Sequence, residues 1–107
     1  MKLNSRASGD TLRNIVCTFD NGWTLSIGIG TFHYCDNRTK DKAEATATCE
    51  IALWLDEDDM VRFKTGDTVQ PYFDVAKLPV LMALLQCPGI TESRVIAAVH
   101  KLSSDAA

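Results

Sequence analysis

From Phe19 to Gly30 the chain reads Phe-Asp-Asn-Gly-Trp-Thr-Leu-Ser-Ile-Gly-Ile-Gly. Trp23, Leu25, Ile27 and Ile29 alternate with Thr24, Ser26, Gly28 and Gly30, so an extended backbone places every large apolar side chain of the run on one face. Helical winding would scatter the same residues around a cylinder. Just upstream, Ile15, Cys17 and Phe19 share one face under the same period. Asp20-Asn21-Gly22 lies between the two runs and contains residues that tolerate positive φ. The pattern predicts a β-hairpin closed by a type I′ turn, with one buried face.

The remaining segments extend this sheet and then change period. Residues 1–10 are polar and read as a frayed lead-in or a short edge element. Asp36 to Lys42 is dense in charge and turn formers and reads as a loop. Ala43 to Leu55 alternates again, which predicts a long strand lined at first by small side chains. Asp56-Glu57-Asp58-Asp59 forms a turn, Met60 to Phe63 returns as a short strand, and Lys64-Thr65-Gly66-Asp67 turns once more. Thr68 to Phe73 is extended, and Pro71 confines it to an edge or an irregular segment.

Leu78 to Gln86 is helical in composition, with Pro79 in the first turn where its missing N–H costs nothing. Pro88-Gly89 ends that helix. Thr91 then caps a second one running to about Leu102, with Val95, Ile96, Val99 and Leu102 on its buried side. Strands first and helices last define an α+β domain. The expected architecture is a mainly antiparallel sheet of about four strands with two C-terminal helices packed on one face. Residues 1–107 form a single domain, with 1–10 and 103–107 as fraying ends.

Composition narrows the class of function. The 107 residues are 46% hydrophobic and 23% charged, the balance of a soluble globular domain. The net charge of −3 is unevenly spread, +2 over residues 1–43 and −5 over residues 44–107. Neither half has the dense Lys/Arg stripe of a duplex binder, so nucleic-acid binding is open on charge grounds but has no motif behind it. The longest apolar run, Leu78 to Leu85, is far short of the ~20 residues that span a bilayer. Met1-Lys2 leads into polar residues rather than an export signal. Cys17, Cys35, Cys49 and Cys87 contain no Cys-x-x-Cys pair, so thiols in a reducing cytoplasm are expected.

Candidate chemistry is sparse. His33 and Cys35 stand two apart, which puts them on the same face of an extended segment and invites a nucleophilic pair or the start of a metal site. A thiolate nucleophile also needs an oriented base and an oxyanion donor, and neither is signalled. Zinc would require His33, Cys35, Cys49 and Cys87 to be gathered by the fold; the plainer reading packs the cysteines as small hydrophobes. The Asp56–Asp59 acids lack the glycine and distal glutamate of a calcium loop and read as a solvated turn. Gly28 and Gly30, on the polar face of their strand, mark either a bend or a close approach by another backbone or a ligand. Trp23 begins a buried face, whereas Trp54, opposite Ile51 and Leu53, is placed to cover a helix edge. The best interaction candidate is Phe32, His33 and Tyr34 followed by Asp36, Asn37 and Arg38, since aromatics and Arg dominate binding hot spots.

The order Phe-Asp-Asn-Gly-Trp-Thr-x-Ser over Phe19 to Ser26 is followed by a glycine-bearing strand leading to Tyr34-Cys35-Asp36-Asn37. An alternating strand closing in Ala52-Leu53-Trp54 completes the pattern. Over residues 14–85 this resembles small proteins encoded by tailed bacteriophages. Their C-terminal helix is often shorter; here the Leu78–Leu102 region is longer and broken at Pro88-Gly89. The family has no assigned catalytic residues, so the resemblance transfers none, and no catalytic residue, cofactor or metal is expected. It implies a setting in which small phage proteins outside the virion bind and block a host protein, defence nucleases included. The expectation is therefore a non-enzymatic protein-binding module in the host cytoplasm, contacting a host protein through Phe32, His33, Tyr34, Asp36, Asn37 and Arg38. A small metal-dependent or Cys/His enzyme centred on His33 and Cys35 is the alternative, and a nucleic-acid binder a further one. An edge strand leaves homo-oligomerisation open.

Overall fold

A computed structural model describes residues 1–8, 11–30, 33–36 and 45–104. Five strands form one antiparallel sheet in sequential order: β1 (Lys2–Ser8), β2 (Thr11–Thr18), β3 (Trp23–Gly28), β4 (Thr48–Leu55) and β5 (Gln70–Asp74). A 3₁₀ turn over Val75–Lys77 leads into α1 (Leu78–Leu85), and α2 (Glu92–Ser104) follows. The chain is thus α+β with an antiparallel sheet and two C-terminal helices, and the described residues form five strands where about four were expected.

Register explains which face is buried. Cys17 stands opposite Leu25, and Leu25 opposite Leu53; Ile15, Ile27 and Ile51 form a second such row. Cys17, Leu25, Ile51 and Leu53 belong to one core cluster with Trp23, Cys49 and Phe73 of the sheet and Leu81, Leu85, Val95 and Val99 of the helices, and Ile15 and Ile27 pack against it. The helices therefore cover the face on which the alternation concentrates its apolar residues. Burying each large aliphatic there contributes about 1.5–3 kcal/mol. Trp23 is a core residue, as its place in the pattern predicts. Half-buried Trp54 stands opposite Thr24 on the other face and is outside this cluster, so it covers no helix edge.

Four differences from the sequence reading have local causes. Residues 2–8 are an edge strand, the edge element of the two readings and not the frayed lead-in. Their polar side chains carry no burial signal, and the backbone pairing with β2 holds them. The hairpin turn is not type I′: Gly22 N–H donates to Phe19 O at 3.1 Å and Phe19 N–H to Trp23 O at 2.8 Å. Three residues thus separate the paired positions, and only Gly22, at φ +96°, adopts the left-handed conformation of a glycine bulge. Met60 to Phe63 forms no strand. Val61 N–H donates to Leu53 O, while buried Val61 and Phe63 act as plugs for the core and not as rungs of the sheet. The predicted long strand from Ala43 is shorter, beginning at Thr48; positions 43 and 44 lie outside the described residues.

The helices start and stop as their residues dictate. Pro79 sits in the first turn of α1, after the chain has restarted from the 3₁₀ turn capped by Asp74. Thr91 Oγ1 accepts from Arg94 N–H at 3.3 Å, an N-cap for α2. This second helix runs through Ser103 and Ser104, past the expected end, while 105–107 lie outside the described residues. Asn21 joins the hairpin to the helical layer, its Nδ2 donating to Leu85 O at 2.6 Å. Among the described residues, no helix is long and apolar enough to cross a membrane.

Candidate functional site

Glu50 organises the segment that carries the interaction candidates. It lies on the strand face away from the helices, opposite Gly28 of β3. Its Oε2 accepts from Tyr34 N–H at 3.1 Å, and its Oε1 lies 3.1 Å from His33 Nδ1. Thr48, two residues earlier on the same face, accepts from Asp36 N–H through Oγ1 at 2.9 Å. Residues 34–36 therefore run antiparallel along 48–50, fastened by side chains. Hydrogen bonds to a charged acceptor are the stronger kind, contributing about 1.5–3 kcal/mol each.

Gly28 makes room for this arrangement. A Cβ there would run into the His33 ring at Nδ1, Cε1 and Cγ. The missing side chain thus accommodates a neighbouring imidazole, neither of the two roles that sequence reasoning weighed for it. Gly30, at φ +87°, turns the chain back, and its carbonyl accepts from His33 N–H at 3.1 Å.

A β-bulge supplies the other wall. Cys49 stands opposite Phe73 but Ile51 opposite Gln70, so Pro71 and Tyr72 together face Glu50. Tyr72 has φ +50°, a conformation a bulky side chain rarely adopts, and its N–H donates to Tyr34 O at 3.0 Å. Strained backbone of this kind costs on the order of 1–3 kcal/mol and clusters at sites of function. The consequence is a surface groove of about 430 Å³ lined by Tyr34, Thr65, Asp67, Val69, Pro71 and Tyr72. Tyr34 and Tyr72 are 50% and 48% exposed, large aromatic surfaces left accessible at its rim.

Of the six predicted site residues, His33, Tyr34 and Asp36 are gathered along Glu50 and Thr48. Phe32, Asn37 and Arg38 lie outside the described residues. Sequence reasoning missed Glu50, Tyr72, Asp67 and Val69. Only the Pro71 interruption of an extended run hinted at the bulge that assembles them.

The Cys/His alternative meets a geometric obstacle. The 33–36 segment bends instead of extending, so the period-two argument that put His33 and Cys35 on one face does not apply to it. Cys35 Sγ points to the carbonyl oxygens of Gly30 and His33, at 3.9 and 3.8 Å, while the His33 ring turns to Glu50. Cys49 and Cys35 are both buried, and Cys49 donates to Phe73 O at 3.6 Å. Burial pushes the Cys49 thiol up to about 12, with Cys35 and Asp74 adding to the shift. Exposed Cys87 donates to Ala83 O of α1. Among the described residues, no three His, Cys, Asp or Glu side chains gather as a metal site.

No family model matches the chain, and neither does any curated protein or solved structure.

Proposed function

We propose that the protein is a non-enzymatic binding module whose contact surface centres on Tyr34 and Tyr72 and continues over the Phe32–Arg38 segment. One observation carries this reading: two half-exposed tyrosines from distant parts of the sequence rim one groove, and a hydrogen bond between their backbones holds them together. Tyr is a residue type that concentrates binding energy, because its large, amphipathic ring is ordered at low entropic cost. The phage resemblance supplies the kind of partner, a host protein that the module occludes as an accessory or anti-defence factor in the host cytoplasm. No bond is broken in such a role.

The test is comparative capture from bacterial host lysate with the wild-type chain and with a Tyr34→Ala/Tyr72→Asn variant. Asn tolerates the positive φ at position 72, so the backbone is preserved. A host protein retained by the wild type and lost by the variant supports the reading. Equal retention by both would move the contact surface elsewhere.

A further inference from the structure

The chemistry of the groove narrows what can occupy it. Val69 and Pro71 offer apolar surface and Tyr34 and Tyr72 offer aromatic rings, so an occupant needs an apolar stem. Among the described residues that line it, Thr65 and Asp67 are polar and Asp67 carries the charge. Of the basic neighbours on the same loop, Arg62 directs Nη1 to Gly66 O at 2.6 Å, and Lys64 is exposed but does not line the groove. A carboxylate and two tyrosines in one lining complement a cation, drawn both by charge and by the ring quadrupoles. Guanidinium fits better than ammonium: it is planar, stacks on aromatic faces, is weakly hydrated and can meet a carboxylate through two N–H groups.

We infer that the groove receives an arginine side chain presented by a segment of the partner protein, its stem along Val69 and Pro71 and its guanidinium between the tyrosines and Asp67. This rests on the protein-binding reading above and specifies its partner. One oxygen of the Asp67 carboxylate is held locally, Oδ1 accepting from Thr68 N–H at 2.7 Å.

The full chain, isotopically labelled, would be titrated with N-acetyl-arginine N-methylamide and, in parallel, with the citrulline analogue, which has the same shape but no charge. The expected result is saturable amide shifts confined to Tyr34, Asp67, Val69 and Tyr72, with the citrulline compound about fivefold weaker or more. Asp67→Asn keeps an oxygen for Thr68 N–H and should bring arginine down to the citrulline level without disturbing the rest of the spectrum. Absent shifts, or equal binding of the two probes, would overturn the inference. Should the probe fail while capture of a host protein still depends on Tyr34 and Tyr72, the cation assignment falls and the binding module stands. If capture is also independent of the tyrosines, both fall.

Discussion

The imidazole of His33 occupies the space in which any side chain on Gly28 would have to stand. Strand β3 therefore ends on a residue that must lack a Cβ for the following turn to close against the sheet. Gly28→Ala forces the ring away from Glu50 and should cost about 1–3 kcal/mol, the range of overpacking changes, in urea denaturation. In a His33→Ala background the obstruction is gone, so the same change should cost far less. A double-mutant cycle with additive costs would show that the two residues do not meet.

Glu50 holds the Tyr34 amide and the His33 ring with one carboxylate. Glu50→Ala leaves that amide without its acceptor while β4 keeps its backbone pairing with β3 on one side and β5 on the other. Loss of about 1–3 kcal/mol is expected, together with faster hydrogen exchange at Tyr34 and unchanged protection at Leu25 and Leu53. Uniformly faster exchange across the sheet would instead make Glu50 a residue of global stability.

Cys49 links stability to alkaline pH. Its folded thiol is pushed up to about 12 by burial first, with Cys35 and Asp74 adding, against an ordinary value of 9.0. The unfolded chain releases this proton at lower pH than the folded one. Its contribution is therefore complete below about pH 9 and is lost progressively as pH rises toward the folded value. Cys17, also raised by burial, acts in the same direction. Urea midpoints should fall between pH 8 and pH 10.5, and Cys49→Ala should flatten the fall. In the native protein at pH 8, a disulfide reagent should modify exposed Cys87 quickly and the three buried thiols only on unfolding.

The sheet's central hairpin was legible because Trp23, Leu25 and Ile27 alternate with polar residues and one face is buried. Strand β1 was not, because its described side chains are exposed, Leu3 at 65%, and only the register with β2 makes it a strand. Val61 and Phe63 misled in the other direction: alternation reports burial, and both are buried without belonging to the sheet. Tyr34 was a candidate from composition, yet its partner Tyr72 reaches it through a bulge, which no periodicity encodes. Glu50 was not singled out, since nothing local to it signals hydrogen-bond partners at positions 33 and 34.

Asn21 has a role that its turn position hides. Its Nδ2 satisfies Leu85 O at the C-terminal end of α1, where helix carbonyls lack intrahelical donors, and its Oδ1 accepts from Trp23 N–H at 3.3 Å. Asn21→Asp retains the second bond but sets a carboxylate against a carbonyl and against the negative end of the helix dipole. The charged form is disfavoured in the folded state, so the folded carboxyl titrates above its unfolded value near 4. The penalty, about 1–3 kcal/mol at neutral pH, should shrink as pH falls through that range, because the protonated acid can donate to Leu85 O. Asn21→Ala removes both bonds and should lose stability by a similar amount with no such recovery. Parallel denaturation of the two variants at pH 7 and pH 4 checks this, and a pH-independent cost for Asn21→Asp would mean that Leu85 O does not depend on the hairpin for its donor.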